Sequence, residues 1–324
     1  MEYRMQKKLS INFKHALSQK SIYIAALSAC LIAVVAFAVL SLLITKDNRE
    51  NNEGFAKKNF FRKYESIENE FRNIGLKPYK KNGSFYQEFD KKHKGEVHQF
   101  KNVIGLLPGK EKINEFVIFS AHYDHIGILP ATGQDSIANG ADDNASGVTA
   151  LIQLARHYAQ RGDNARTIIF VAFTGEEIGF YGSQYFSDQI DPQKVIAMFN
   201  LEMIGKQSKF GANTAYLTGF RYSDLGKIME RNLKYTHYKI YPDPYATQQL
   251  FYRSDNMPLA KKGVPAHTIS TVQINKDNSY HTVADEVGLL DVENIISVAR
   301  AIAIGASTVV SGQDTPSRIK ANRR

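Results

Sequence analysis

The sequence predicts an α/β fold: a mostly parallel, mixed central sheet flanked by helices, preceded by one transmembrane helix. Three observations carry the prediction. The continuous apolar runs 117–121, 167–173 and 195–201 have the character of strands buried on both faces. Between such runs lie stretches with apolar residues at helical spacing, 148–158 foremost, so helices and strands alternate as they do around a parallel sheet. Residues 21–44 carry no charged side chain.

As a helix, that uncharged segment would be about 36 Å long, enough to cross a bilayer core with some tilt. Arg4, Lys7, Lys8, Lys14 and Lys20 precede it against Glu2 alone, a bias that places the N-terminus in the cytoplasm and the rest of the chain outside. No small-residue cleavage site follows it, so an uncleaved signal anchor is expected. Leu27-Ser-Ala-Cys30 resembles a lipoprotein cleavage box, but residues 31–44 stay apolar where a lipoprotein turns polar. Residues 45–59 read as a polar stalk. Residues 60–74 have apolar side chains at helical spacing and stop at Gly75 and Pro78. Further strands are expected at 84–89, at 97–107 running into a Pro108-Gly109 turn, and at 215–217 and 266–270, with helices at 225–233 and 292–304. The expected organisation is a cytoplasmic segment 1–20, an anchor 21–44, a stalk 45–59, a globular domain 60–310 and a basic, disordered tail 311–324.

The formal charge of the 324-residue chain is +9, of which the residues before the anchor contribute +4, so the remainder is only mildly basic. No Lys/Arg patch interleaved with aromatics is present, which argues against a nucleic-acid partner. Cys30 is the single cysteine, so no intramolecular disulfide can form.

The chemistry-bearing residues cluster where strands are expected to end. His122-x-Asp124 closes the 117–121 run, and residues two apart on a strand share a side. One can ligate a metal while the other steadies it, because a ligating histidine gives its second ring proton to a carboxylate or carbonyl. The adjacent acids Asp142 and Asp143 follow a short loop and precede the 148–158 helix. Such a pair also serves for capping and dipole compensation, and Asp142 is read as structural. Glu176 and Glu177 follow the 167–173 run, Glu202 ends the 195–201 run, and His281 sits in a polar loop with Asp285 close behind. In open α/β sheets, sites form beyond the carboxyl ends of the strands. Nitrogen and oxygen donors without thiolate suit zinc, with manganese or cobalt as alternatives, and a set of about five with one bridging suits two ions acting on one water. His125 is divided evenly between touching substrate and capping the loop, and His267 is read as a strand residue. Asp255 in Arg253-Ser-Asp-Asn256 is a supporting candidate. Tyr245 and Tyr252 are weighed as oxyanion donors against ordinary packing.

Taken in order, His122-x-Asp124, Gly140-Ala-Asp-Asp-Asn-Ala-Ser-Gly147, Gly175-Glu-Glu177, Asn200-Leu-Glu-Met-Ile-Gly205 and Tyr280-His281 resemble the motif series of the co-catalytic di-zinc aminopeptidases. That family includes aminopeptidase S, aminopeptidase Y and glutamate carboxypeptidase. The resemblance covers roughly residues 100–305, and its specificity lies in the full ordered set, since Gly-Glu-Glu alone is weak. It implies a zinc exopeptidase-like fold, two zinc ions and a peptide substrate with a free N-terminus. His122 and Glu202 would bind one ion, Glu177 and His281 the other, and Asp143 would bridge them. Glu176 would be the general base, Asp124 would orient His122, and the peptide after Asp143 would be strained and often cis. Many members carry aspartate where Glu202 stands, which leaves carboxypeptidase or deacylase action open. A one-zinc glutaminyl cyclase is a same-fold rival, against which His122 and Asp124 count. A ligand-poor adhesion ectodomain is the non-enzymatic rival, and no ligand is missing here.

Overall fold

The computed structural model describes residues 52–133 and 135–320. The expected anchor at 21–44 and Cys30 lie outside these residues. No helix among the described residues is long and apolar enough to cross a membrane.

The first helix among the described residues, Asn52–Ile74, begins within the stretch read as stalk. Its apolar stripe buries Tyr64, Ile67 and Phe71. Then come β1 (Lys77–Pro78), β2 (Tyr86–His93), β3 (Glu96–Leu107) and β4 (Lys112–His122). A separate small ribbon, β5 (Gly127–Thr132) with β6 (Asp135–Ala138), leads to the helix Gly147–Arg161. Next are β7 (Arg166–Phe173), the helix Tyr181–Gln189, β8 (Val195–Leu201), β9 (Thr214–Leu217) and the helix Leu225–Leu233. The domain closes with β10 (Lys239–Pro242), the short helix Met257–Lys261, β11 (Ala266–Ser270) and the helix Val292–Gly305.

The main sheet runs β1-β3-β7-β4-β8-β11-β9-β10, with β2 on β3. Its centre, β7-β4-β8-β11, is parallel, while β1, β2 and β3 join antiparallel and β11 meets β9 antiparallel. The sheet is therefore more evenly mixed than the apolar runs foretold. The β2–β3 connection is too short for a crossover, and a tight connection forces antiparallel pairing.

All eight residues of β7 are buried, as a strand covered on both faces requires. Phe119 of β4 stands level with Phe170 of β7 and Phe199 of β8, and its ring stacks on both of them and on Tyr158 from the helix Gly147–Arg161. That face also receives side chains from the helices Asn52–Ile74, Leu225–Leu233 and Val292–Gly305. The opposite face buries Ile118, Ile169 and Met198 under Phe186 and Leu259, from the helices Tyr181–Gln189 and Met257–Lys261.

Helices and central strands are positioned so that the chain leaves β4, passes to β7 on one side and then to β8 on the other. The crevice at β4 is thus a topological switch point. Register keeps the strand ends level, with Ser120 beside Val171 and Asn200, so His122 emerges together with the residues after Phe173 and Leu201.

The tail expected to be disordered from residue 311 is instead tied to the body up to Ile319. Buried Arg166 pairs with Glu115 at 2.5 Å and donates to the carbonyls of Val309 and Asp314 and to Thr315. Arg318 donates to the Val195 carbonyl, and the Ile319 N–H donates to Gly263 O.

Candidate active site

The turn 141–146 brings Asp143 to the switch point, and its polar sequence is consumed in holding it there. Asn144 donates to Leu201 O at 2.9 Å and accepts from the Met203 and Gly147 N–H groups. Ser146 accepts from Ile204 N, and Asp142 accepts from Gly205 N at 2.7 Å, so Asp142 has the structural role read for it. Gly147 has no substitute, because a Cβ there would lie 2.3 Å from Asn144 Oδ1 and 2.7 Å from Leu201 O. The Asp143-Asn144 peptide is cis, as the resemblance implied.

Three successive N–H groups of this turn point to one residue. Ala141 donates to the Asp285 carbonyl, while Asp142 and Asp143 donate to its carboxylate. Asp285 thereby fastens the Asp143 turn to the loop that carries His281.

The two carboxylate oxygens of Asp143 face different histidines. Oδ1 is 3.2 Å from His122 Nε2, and Oδ2 is 3.3 Å from His281 Nε2. His122 Nε2 also lies 2.9 Å from Glu202 Oε1, and His281 Nε2 lies 3.0 Å from Glu177 Oε2. Glu202 Oε2 accepts from Ser254 at 2.8 Å, and Asn200 donates to that same hydroxyl. Asn200 Oδ1 in turn accepts from Ser120 on β4. Met203 and His281 both hold positive φ, 47° and 57°, a backbone strain that recurs at functional sites.

Asp124 does not orient His122 through its carboxylate. His122 Nδ1 reaches the Asp124 backbone carbonyl at 3.2 Å, whereas the carboxylate lies 3.8 Å off. That carboxylate accepts instead from the N–H groups of Glu176 and Glu177, at 3.2 and 3.4 Å, and so shapes the turn presenting both acids. Backbone donors outcompete the imidazole because Asp124 falls beyond the end of β4, where the strand's alternation no longer holds.

Electrostatics divides the acids. Burial alone would raise Asp143, but hydrogen bonds from His122 and His281 hold it below the usual carboxylate range. Glu177 is likewise lowered against its burial, by His125 and His281. Burial pushes Glu176 well up against the pull of His122, and the charges of Glu202 and Asp255 add to the rise. Pushing neighbouring carboxyls apart in this way separates a ligand from a proton carrier.

These residues fit zinc. His122 Nδ1 faces a carbonyl and its Nε2 confronts two carboxylate oxygens, a donor set that a cation held between them would satisfy. Bonds of 2.0–2.1 Å in a tetrahedral shell put donor atoms about 3.3–3.4 Å apart. The observed separations of 2.9–3.3 Å come close to that. Glu176 also brings an oxygen within 4.8 Å of the His122 set, and His125 a nitrogen within 4.8 Å of the Asp143–Glu177 set. Of the two histidines near Glu177, His281 is the better ligand candidate. Its Nε2 approaches both acids, whereas His125 Nδ1 is 2.8 Å from Glu177 Oε1 and 3.7 Å from Asp143.

Residues 102–304, more than half of the chain, match the model of peptidase family M28. The chain belongs to peptidase family M28. A leucine aminopeptidase 1 of Coccidioides posadasii is 29% identical over 232 residues, covering 64% of this chain and 57% of that protein. The chain spans 57% or less of the length of the curated relatives it matches. The Legionella pneumophila LapA aminopeptidase superposes with a TM-score of 0.61 at 20% identity, covering 87% of this chain and 74% of that one. Porphyromonas gingivalis glutaminyl cyclase superposes at 0.58 and 22% identity, covering 76% and 88%. These likenesses in structure concern the fold.

Around the acids of this M28 chain lies a cavity whose lining includes Tyr216, Leu250, Arg253, Val272 and Tyr280. Neither Tyr245 nor Tyr252 lines it. Tyr280 does, with its ring stacked on His281 at 3.9 Å. Its place beside a candidate ligand was the available signal. Asp255 is buried, and burial pushes its carboxyl up to about 7 against the pull of His122. His267 lies in β11 as read, between Thr218 O and the Ser223 hydroxyl.

Proposed function

We propose that the chain is a zinc-dependent aminopeptidase that removes N-terminal residues from peptides, held to a membrane by residues 21–44 with its M28 domain on the extracytoplasmic side. The observation that carries the reading is the Asp143 carboxylate set between His122 and His281, one oxygen toward each. His122, Asp143 and Glu202 would hold one ion, and Asp143, Glu177 and His281 a second. When bound, zinc supplies Lewis acidity toward a water and toward the scissile carbonyl oxygen. Glu176, as the carboxylate, takes a proton from the attacking water, and an environment that raises its pKa lets it hold that proton until it passes to the leaving amine. Tyr280 offers a hydroxyl in the same cavity for the oxygen on which charge develops. The acids of the site also suit the ammonium group of a free N-terminus.

The test is zinc per chain in the purified full-length protein, with hydrolysis of a panel of aminoacyl-anilides, N-blocked peptides and N-terminal glutaminyl peptides. Two zincs and release of free N-terminal residues are expected. Glu176→Gln should keep the metal and lose about 10²–10⁴ in rate. Cleavage of blocked substrates alone would move the reading to a carboxypeptidase or deacylase. Cyclisation of glutaminyl peptides with one zinc would move it to the cyclase whose fold this chain shares. A topology reporter fused after residue 324 and active only in the cytoplasm would refute the membrane orientation.

A further inference from the structure

His125 has no role in the reaction just described, yet its side chain is only 2% exposed and lies among the proposed ligands. Nδ1 is 2.8 Å from Glu177 Oε1, while His281 Nε2 takes the other oxygen of the same carboxylate at 3.0 Å. The His125 ring meets the His281 ring edge-on, with centroids 5.8 Å apart. Room for it depends on Gly140, at φ 67°, where a Cβ would come within 2.6 Å of His125 Cγ and 2.3 Å of Asp143 O. Imidazole, glycine and the Asp143 turn therefore fit as one packed unit.

We propose that His125 is a positioning residue for the second metal site: its Nδ1–H grips Glu177 Oε1 and thereby turns Oε2 toward His281. This rests on the zinc peptidase reading above. The tautomer separates the proposal from direct ligation. His125 Nε2 is buried without a hydrogen-bond partner. If Nδ1 bound a metal, Nε2 would carry the proton and leave a buried N–H orphaned, which is rare and costly. With the proton on Nδ1, only an acceptor is left unpaired, which is the milder defect. Partners that orient a ligand in this way are worth about 10–100-fold in metal affinity.

The experiment compares full-length wild type with His125→Phe, which fills the space without a donor, and His125→Gln, which restores an N–H. Zinc stoichiometry and the affinity of each ion are read by chelator competition, and folding by circular dichroism. The expected result is that Phe weakens one zinc about 10–100-fold and leaves the other unchanged, with Gln recovering part of the loss. Equal zinc affinities in all three proteins would overturn the proposal, because a space-filling role predicts no metal effect. Loss of one ion beyond about a thousandfold in both variants would also overturn it, since that marks a ligand. If Phe does not fold, the Gln variant decides, with a loss below about tenfold in the affinity of one ion expected and a larger loss refuting. Should the wild type hold a single zinc, the two-metal reading fails separately, and the same comparison on that one ion still decides the role of His125.

Discussion

Replacing Asp285 tests whether the site is held together by its backbone donors rather than by the metal alone. The side chain is fully buried and receives the Asp142 N–H at 2.9 and 3.1 Å and the Asp143 N–H at 3.0 Å, while its carbonyl takes Ala141 at 3.2 Å. Asp285→Ala would strand two buried N–H groups, at about 1–3 kcal/mol each. The expected loss is about 2–6 kcal/mol, a large share of the about 5–15 kcal/mol that stabilises a typical domain. Asp285→Asn is the sharper probe. Turned one way, its amide oxygen replaces Oδ2 and keeps both donors, but the NH₂ then confronts the Asp142 N–H. Turned the other way, the Asp143 N–H is stranded. Either orientation forfeits one charge-assisted bond, about 1.5–3 kcal/mol.

The assay is urea unfolding of wild type and Asp285→Asn with zinc chelated and again with zinc in excess. The chelated pair reads the direct loss. The increment on adding zinc reads the metal affinity of the folded state, because a ligand stabilises by RT ln(1 + [L]/Kd). That increment should be smaller in the variant, since the turn presenting Asp143 is no longer fastened to the His281 loop. A variant that unfolds within about 0.5 kcal/mol of wild type in both conditions would refute the reasoning.

Three further outcomes are expected. His267 is buried with its pKa lowered to about 4, by burial against the Thr218 carbonyl contact, so below pH 6.5 the unfolded chain binds a proton that the folded chain refuses. Stability present above pH 6.5 should therefore fall as the pH drops toward 4, by up to about 3 kcal/mol, and unfolding midpoints of wild type and His267→Gln should converge there. Arg166→Met removes the donors to Val309, Asp314 and Thr315 and frees the tail, so limited proteolysis should cut within residues 311–320, with a stability loss of about 1–3 kcal/mol; an intact tail would contradict this. Ser254→Ala removes the hydroxyl on Glu202 Oε2 and should weaken one zinc by about tenfold in chelator competition; unchanged affinity would show that Glu202 needs no such support.

What could be read from the chain followed from how each feature is encoded. Strands at the sheet centre are covered on both faces, so β7 and β8 leave unbroken apolar runs and their limits were legible to within a residue. The helix Leu225–Leu233 matched because its apolar stripe faces the core along its whole length. The ribbon of β5 and β6 is short and β5 is mostly exposed, so too few buried positions exist to mark a pattern in the sequence. The ordered tail was not legible because it is held by contacts distant in sequence, Arg166 to Asp314 O and the Thr315 hydroxyl and Arg318 to Val195 O, which a polar composition does not reveal. At the site, the histidines and acids were legible as an ordered motif set. The partnership of Asp124 with the Glu176 and Glu177 N–H groups was not, because it depends on where β4 ends in space.

Glu202 shows how a departure in sequence can be absorbed by its surroundings. An aspartate at this point would need its backbone closer to His122; glutamate adds one methylene and with it a further rotatable bond. Left free, that arm would lose order and, with it, a defined donor position. Here both oxygens are committed, Oε1 at 2.9 Å from His122 and Oε2 at 2.8 Å from Ser254, whose hydroxyl is in turn fixed by Asn200 from β8. Asn200 is itself held by Ser120 of β4 and by Thr268 of β11, so three parallel strands set the position of one carboxylate. The longer reach is thus converted into a fixed donor, and the separation from His122 falls within the range spanned by the other donor pairs of the site, 2.9–3.3 Å. Reach at residue 202 therefore gives no reason to set this site apart from those built on aspartate, and substrate choice must be sought in the cavity wall of Leu250, Arg253 and Val272 instead.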